Sequence, residues 1–241
     1  MANQLVYGLL LLTTATAASA AAGIEGGAPA NISDRSYLIS FHDENGIPVC
    51  AGALIKKNIA VTAGSCFAFH NGWKFAVGVL GGTKFLKVSD YTFSARFSYN
   101  TWENDIAVLR LTESVEANYL TLASQPRPTG TSAVLTGWDA NNTVVDVDET
   151  IISAKDCVSG KYKYKEGEVF DSMLCGLAKD AACGALPGSP LVSGNKLIGL
   201  ASWGNGCGDK GNPGIFTNIE SFKSWIQNLQ NKLFAGKKYK N

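Results

Sequence analysis

Six cysteines and two histidines are the side chains of this sequence with the most distinctive chemistry. The cysteines are Cys50, Cys66, Cys157, Cys175, Cys183 and Cys207, and the histidines are His42 and His70. No pair of cysteines has the Cys-x-x-Cys spacing, so no zinc site is predicted, and the sequence predicts no other metal and no cofactor. In an exported chain an even number of cysteines indicates three disulfides, for which fifteen pairings are possible.

The first 23 residues have the pattern of a signal peptide, which supports export. An apolar stretch over 5–12 is followed by Ala18-Ser19-Ala20, small residues of the kind that signal peptidase needs, so cleavage is predicted at about 20–23. No later apolar run is long enough to span a bilayer. Two glycosylation sequons begin at Asn31 and Asn141. We therefore predict a secreted, extracellular glycoprotein with no membrane association.

The charge of the chain argues against nucleic acid as a partner. Lys+Arg number 21 and Asp+Glu 20, for a formal net charge of +1. Only the end of the chain is locally basic, and 231–241 is predicted to be a solvated tail.

Short apolar runs between scattered glycines favour strands over helices. Four of them are 37–41, 75–79, 107–111 and 197–201. Asn45-Gly46 is typical of a hairpin turn, and Pro126, Pro128 and Gly130 suggest a join between two β halves at about 125–130. Near the end, Ser221 is a predicted cap for a helix with one apolar face, made by Phe222, Trp225, Ile226 and Leu229. Periodicity thus predicts an all-β domain with a C-terminal helix.

A series of motifs runs from Ile24 to about Leu229. The segments are Ile24-Glu25-Gly26-Gly27, Cys50-Ala51-Gly52-Ala53-Leu54-Ile55, Val61-Thr62-Ala63-Gly64-Ser65-Cys66, Asn104-Asp105-Ile106-Ala107-Val108-Leu109, Thr136-Gly137-Trp138, Trp203-Gly204-Asn205-Gly206-Cys207 and Pro213-Gly214-Ile215-Phe216-Thr217. These segments resemble the motifs of the trypsin-like serine proteases. Their order and the matching cysteines make the resemblance specific. It implies two six-stranded antiparallel β-barrels with a cleft between them, over 24–230. It also implies the disulfides Cys50–Cys66, Cys157–Cys175 and Cys183–Cys207.

The same resemblance implies that the catalytic machinery is degenerate. Peptide cleavage in this family needs a serine nucleophile, a histidine base, an orienting aspartate and two backbone N–H donors. The base position falls at Ser65, whose hydroxyl binds a proton too weakly to act as a base near neutral pH. The aspartate is kept as Asp105. The nucleophile position is Pro187, which has neither a hydroxyl nor an N–H.

Neighbouring positions depart from the family as well. Ala185 replaces a glycine of the oxyanion hole. Leu186 replaces the aspartate that, in active members, pairs with a newly cut N-terminal amine. Residue 23 is glycine, so a tryptic activator finds no Arg or Lys there. A rescued triad of His70, Asp105 and Ser189 requires the alignment to be shifted at both the base and the nucleophile position.

The specificity pocket is assigned by the resemblance to Ala181, Trp203, Gly204 and Gly214. Ala181 stands where trypsin has an aspartate, so an open pocket is expected to favour an apolar side chain. A collapsed, empty pocket is the alternative.

These features predict a pseudo-protease similar to insect serine protease homologues, which acts by binding an extracellular protein such as a protease or a protease substrate. The alternatives are an unconventional serine hydrolase and a bulk secreted protein without a specific partner. Binding is predicted either in the cleft, where an extended peptide could pair with the strand around Ser202, Trp203 and Gly204, or through surface loops, with the acidic stretch Asp139 to Glu149 as the candidate. The oligomeric state is not predicted.

Overall fold

The computed structural model of the chain describes residues 23–180, 182–204 and 212–235. The strands are β1 (Ala28–Pro29), β2 (Leu38–His42), β3 (Pro48–Lys56), β4 (Ile59–Thr62), β5 (Ala76–Val79), β6 (Lys84–Leu86), β7 (Val88–Phe93), β8 (Ala107–Leu111), β9 (Thr121–Leu122), β10 (Ser132–Trp138), β11 (Val144–Ile152), β12 (Met173–Ala178), β13 (Pro190–Ser193), β14 (Lys196–Trp203) and β15 (Gly214–Asn218). The α-helices are α1 (Ser65–Phe69), α2 (Ala154–Cys157) and α3 (Ile219–Ala235), and 3-10 helices span Ile32–Arg35 and Gly72–Lys74.

The first half of the chain forms a seven-stranded antiparallel sheet in the order β6-β5-β2-β3-β4-β8-β7. Its two edge strands are consecutive in the chain, because only Lys87 separates β6 from β7. One bent stretch of chain therefore forms both edges of the sheet, which curves into a half-barrel.

The second half forms a closed barrel of six strands. Its order is β11-β10-β13-β14-β15-β12, and antiparallel pairing of β11 with β12 closes the ring. The short strands β1 and β9 add to the outside of this barrel, on β11 and β14. With the C-terminal helix, this arrangement confirms the predicted two-barrel fold.

The predicted strands are present because each apolar run buries side chains in a barrel. The runs at 37–41, 75–79, 107–111 and 197–201 coincide with most of β2, with β5 and β8, and with the middle of β14. The hairpin between β2 and β3 is also confirmed. Gly46 adopts a φ of +76°, and the Asp43 carboxylate accepts hydrogen bonds from the backbone N–H groups of Asn45 and Ile47, at 2.9 Å each.

The structure shows where the predicted join between the two β halves lies, and it corrects both ends of the C-terminal helix. The predicted join at 125–130 lies in the strand-free segment between β9 and β10. Helix α3 begins at Ile219, two residues before Ser221, because the side chain of Asn218 accepts a hydrogen bond from the Glu220 N–H at 3.3 Å. It continues to Ala235, five residues into the predicted tail.

The acidic stretch from Asp139 to Glu149 was expected to be a surface loop, and that expectation is wrong for most of its length. From Val144 onward the chain is strand β11, in which Val145, Val147 and Glu149 are buried and Asp148 is exposed. Polar residues on one side of a strand and valines on the other have the period of two that a barrel wall requires.

Candidate functional site

The carboxylate of Asp105 lies at the interface of the two barrels and is held by two serines. Asp105 precedes β8 and is 1% exposed, Ser65 opens α1, and Ser202 is on β14. The Asp105 Oδ1 accepts a hydrogen bond from the Ser65 N–H at 2.6 Å. The Asp105 Oδ2 accepts hydrogen bonds from the hydroxyl groups of Ser202, at 2.5 Å, and Ser65, at 3.2 Å. Both carboxylate oxygens therefore have donors, and none of these donors is an imidazole.

Burial controls the ionisation of this carboxyl group. Desolvation raises the pKa of Asp105 above its ordinary range, against the hydrogen bonds from Ser202 and Ser65, which lower it. Asp105 also takes part in structure through its backbone, because its carbonyl accepts the buried Thr217 hydroxyl at 2.6 Å. The residue thus ties α1, β14 and β15 together, whatever its charge.

The segment at the nucleophile position is fixed against the first barrel. The Pro187 carbonyl accepts the Ala51 N–H of β3 at 2.9 Å, and the Gly188 N–H donates to the Ala201 carbonyl at 2.7 Å. Gly188 has a φ of +83°, and a Cβ there would lie 2.1 Å from the Ala51 oxygen. Only glycine therefore fits after Pro187, and the turn is rigidly joined to both barrels.

The first motif, which begins at Ile24, lies beside the turn at Pro187. The Ile24 N–H donates to the Trp138 carbonyl at 2.8 Å, and the Ile24 side chain is buried in the apolar core of the second barrel, against which Ala185 packs. Leu186, in the position predicted to have lost the activation aspartate, is buried as well.

The residues on either side of Ile24 also make close backbone contacts. Glu25 forms an antiparallel bridge with Cys183, and a Cβ on Gly184 would lie 2.4 Å from the Gly23 carbonyl oxygen. Apolar packing and backbone hydrogen bonds thus hold this segment, in a place where the family uses an ion pair.

The structure describes three of the four pocket residues. Ala181 lies outside the described residues. Gly204 is exposed and follows β14, and Gly214 opens β15 opposite it, so that a Cβ on Gly204 would lie 3.9 Å from the Gly214 Cα. The indole of Trp203 packs edge-on against Tyr164 at a centroid distance of 5.5 Å. Two facing glycines leave the space between the strands free of their side chains.

Two predicted disulfides are confirmed, Cys50–Cys66 and Cys157–Cys175. Cys183 is also disulfide-bonded, and its predicted partner Cys207 lies outside the described residues. The first of these bridges joins β3 to α1, and therefore fixes Ser65 next to the Pro187 turn. The second joins α2 to β12.

The three residues of the alternative triad have separate surroundings. The Ser189 side chain is 1% exposed, and its Oγ has no hydrogen-bond partner. A Cβ on Gly137 would lie 2.8 Å from the Ile24 Cδ1 and 3.4 Å from this Oγ. His70 is exposed, next to the Phe75 ring, and lines a cavity of about 240 Å³ with Asp43 and Glu44. Asp105 contacts neither His70 nor Ser189 by a hydrogen bond, since its oxygens bind Ser65 and Ser202.

Both predicted glycosylation positions are exposed. Asn31 precedes the first 3-10 helix and accepts the Ser33 N–H at 3.0 Å, and Asn141 lies in the turn between β10 and β11. Among the described residues, no helix is long and apolar enough to cross a membrane, and no cluster of His, Cys, Asp or Glu could hold a metal ion.

Two features beside this site were missed by the sequence analysis. One is a cluster of aromatic rings at the end of α1, in which Phe69 contacts Tyr99 and Trp102 at centroid distances of 5.7 Å. Phe69 is 55% exposed and Tyr99 58%. The other is Glu149, buried inside the second barrel. The alternation of valine and acid along β11 would have indicated its inward position.

Comparison with known proteins agrees with this architecture. A trypsin family profile matches residues 24–226. The chain is 34% identical to trypsin theta of Drosophila erecta over 87% of each chain, and 31% identical to a trypsin of Sarcophaga bullata over 87% of this chain and 90% of that one. The protein therefore has the fold of the trypsin-like serine proteases. It belongs to the trypsin family, with Ser65 and Pro187 at the positions that correspond to base and nucleophile in the motif alignment.

Proposed function

We propose that this trypsin homologue is secreted and does not cleave peptides, and that it acts by binding another extracellular protein. The observation that carries the proposal is the set of donors on Asp105. Its two oxygens accept one backbone N–H and two serine hydroxyls. Acyl transfer needs a base that takes a proton from the nucleophile and returns it to the leaving group, and a hydroxyl does neither near neutral pH.

The turn at Pro187 supports the same conclusion independently. Proline supplies no nucleophilic oxygen and no N–H for a tetrahedral oxyanion. Its carbonyl and the next N–H are engaged with β3 and with Ala201. Relatives such as trypsin theta are named trypsins, so the proposal is a departure of this chain from the activity that those names state.

Binding by the proposed pseudo-protease is supported by the aromatic cluster of Phe69, Tyr99 and Trp102. Exposure of aromatic rings to water is energetically unfavourable, and such rings are enriched where proteins bind one another. Phe69 ends the helix that begins with Ser65, and Trp102 lies three residues before Asp105, so the cluster borders the former catalytic position. A partner that is a protease or a protease substrate would therefore contact the cleft and this rim together. The predicted signal peptide and the disulfides fit an extracellular setting.

The first test is labelling with a fluorophosphonate, which reacts with activated serines. We expect no stoichiometric labelling of the purified protein, with an active trypsin as the positive control. Labelling at one serine would overturn the non-catalytic assignment and support the unconventional hydrolase.

The second test measures binding of the purified protein to candidate proteases and their substrates, purified from the extracellular fluid in which the protein is found. We expect saturable binding that Phe69→Ser weakens at least tenfold. Ile47→Ser is the matched control, because Ile47 is equally exposed, at 56%, and does not belong to the aromatic cluster. The absence of saturable binding to any such protein would support the bulk-protein alternative.

A further inference from the structure

The chain enters the second barrel at Ile24, in a buried stretch of backbone. Ile24 is 3% exposed, and its N–H donates to the Trp138 carbonyl at 2.8 Å. Its side chain lies against Gly137, where a Cβ would be 2.8 Å from the Ile24 Cδ1. The next residue, Glu25, exchanges two backbone hydrogen bonds with Cys183, at 2.8 and 3.2 Å. The Ile24 nitrogen is therefore an amide nitrogen inside the folded protein.

Gly23 belongs to the same folded stretch. A Cβ on Gly23 would lie 2.5 Å from the Ala140 nitrogen and 2.5 Å from the Asp139 carbonyl carbon. A Cβ on Gly184, in turn, would lie 2.4 Å from the Gly23 carbonyl oxygen. Backbones that approach one another this closely leave room only for glycine. The peptide bond between Gly23 and Ile24 is thus packed against the turn after β10 and against the loop that contains Gly184.

Hydrolysis of this peptide bond would change the chemistry of the buried nitrogen. It adds water and leaves a carboxylate on Gly23 and an amino group on Ile24. The amide nitrogen carries one hydrogen, which Trp138 accepts, whereas an exposed α-amino group has a pKa of about 7.7–8.0 and is mostly charged at neutral pH. A buried charge without a counter-ion is strongly unfavourable, so the amino group has to lose its proton or leave the barrel.

The acidic residues of the adjoining loops are engaged or exposed. Asp139 is half-buried, and its Oδ1 accepts two backbone N–H groups of its own turn at 2.8 Å each. Glu25 and Asp180 are exposed, where water and salt screen their charges. Among the described residues, these loops therefore offer no fully buried carboxylate to the Ile24 nitrogen.

Strand β11 packs in the same core as Ile24 and carries three more acidic residues. Asp146 is paired with Arg35 at 2.6 Å, and Asp148 is exposed on the outer face. Glu149 faces the interior, and its Oε2 has no hydrogen-bond partner. Burial raises the pKa of Glu149 to about 8, so this carboxyl group is mostly uncharged at pH 7. In the part of the chain that the structure describes, a charged amino group at Ile24 would thus have no ionised counter-ion inside the barrel.

We propose that the folded protein requires an intact peptide bond between Gly23 and Ile24, and that a cut at this bond releases residues 24–27 from the second barrel. A cut here then loosens the molecule and is not a step in its maturation. Because Gly23 and Glu25 contact Gly184 and Cys183, the loop that leads to Pro187 loses backbone contacts with the same cut.

The test compares two forms of the otherwise unchanged protein, one that begins at Ile24 and one that begins at Ala21. Each is released from a removable N-terminal fusion that leaves no extra residue. Ala21 lies within the predicted range of signal peptide cleavage, and its amino group is three residues away from Ile24, so this form is the matched control. Both forms are unfolded in urea with disulfides intact, at pH 6 and at pH 9.

The pH dependence isolates the buried amino group. Burial lowers its pKa, so below about pH 8 the unfolded Ile24 form binds a proton that the folded form does not, and stability is lost as the pH falls. An exposed pKa near 7.8 allows a loss of up to roughly 60-fold in the folding equilibrium constant at pH 6. Loss of the Gly23 contacts adds an offset that does not depend on pH.

We expect the ratio of the two folding equilibrium constants, Ala21 form over Ile24 form, to be at least tenfold larger at pH 6 than at pH 9. Hydrogen exchange at the Glu25 N–H is expected to be faster in the Ile24 form at pH 6, which places the change in this segment. A ratio that is the same at both pH values would overturn the inference, because a neighbouring carboxylate such as Asp139 or Glu149 would then neutralise the amino group.

A second pair of variants tests whether residue 23 is packed as described. Gly23→Ala, in the form that begins at Ala21, is expected to lower the folding equilibrium constant at least tenfold, because its Cβ would meet the backbone of Asp139 and Ala140. Gly204→Ala is the matched control, since the nearest atom to its Cβ would be the Gly214 Cα at 3.9 Å, and we expect a change of less than threefold. Equal effects of the two substitutions would contradict the packing of Gly23.

The first residue of the naturally secreted protein gives an independent outcome. We expect N-terminal sequencing to find a first residue no later than Gly23, and a protein that begins at Ile24 would overturn the inference. All of these measurements concern folding, so they are separate from the fluorophosphonate and binding tests of the proposed function.

Discussion

Replacing Glu149 with glutamine will change how the stability of the free protein depends on pH. Burial raises the pKa of Glu149 from an ordinary 4.5 to about 8, so between these values the folded protein holds a proton that the unfolded chain has released. The contribution of this group to the free energy of unfolding is therefore greatest below about pH 4.5. It decreases as the pH rises, and it is lost by about pH 8.

The size of the effect follows from the same two values. A pKa difference of one unit corresponds to about 1.4 kcal/mol, so the full change amounts to about 5 kcal/mol and roughly 3 kcal/mol of it has occurred by pH 7. Asp105 also has a raised pKa and gives a slope of the same sign. Because Asp105 is present in both proteins, the difference between the unchanged protein and the Glu149→Gln variant isolates Glu149.

The assay is urea denaturation with disulfides intact at several pH values from about 5 to about 9. Glutamine places a neutral amide in the same site, which adds a constant offset, so the slope with pH carries the information. We expect the Glu149→Gln variant to gain stability relative to the unchanged protein as the pH rises. The curve of stability against pH for Asp148→Asn is expected to remain parallel to that of the unchanged protein. Parallel curves for Glu149→Gln and the unchanged protein would refute the view that Glu149 is buried without a partner.

Two further variants test the segment around Pro187, the nucleophile position in the motif alignment. The double variant Ser65→His with Pro187→Ser is expected to stay far below trypsin-like turnover of ester substrates, because Leu186 still provides no carboxylate; ordinary turnover would contradict this. Gly188→Ala is expected to lower the free energy of unfolding in urea by roughly 2–4 kcal/mol, since its Cβ would meet a backbone oxygen of β3. Gly82→Ala, at a similar φ with nothing within 4 Å, is expected to lose only roughly 1 kcal/mol, and equal losses would exclude the clash as the cause.

The strands could be predicted from the sequence because each apolar run is the length of a barrel strand and ends at a turn. The start of α3 was misplaced because Ser221 and Asn218 are both good caps, and the choice depends on where β15 ends. The position of β11 was misjudged for a different reason. Its acids suggested a loop, and only their alternation with valines indicates that Glu149 faces inward.

That Ser65 and Asp105 lie together could be predicted from motif order, because the cysteines fix the spacing around them. The hydrogen-bond partner of Asp105 on β14 could not be predicted from the sequence. Ser202 is 97 residues away in the chain, and its hydroxyl reaches the carboxylate only because β14 and α1 meet at the barrel interface. The aromatic cluster likewise depends on Phe69 meeting a segment about 30 residues later, which a sequence pattern does not reveal.

The bend of the chain at Lys87, which joins the two edge strands of the first sheet, affects how the protein behaves at high concentration. A strand at the edge of an open sheet offers unpaired N–H and C=O groups to any other molecule, and long edges promote aggregation. Here β6 pairs on one side with β5, β7 pairs on the other side with β8, and both belong to one continuous stretch of chain. The second barrel closes by pairing β11 with β12. Among the described residues, the two outer edges of the first sheet are therefore confined to this one stretch of chain, and the ring of the second barrel has no open edge.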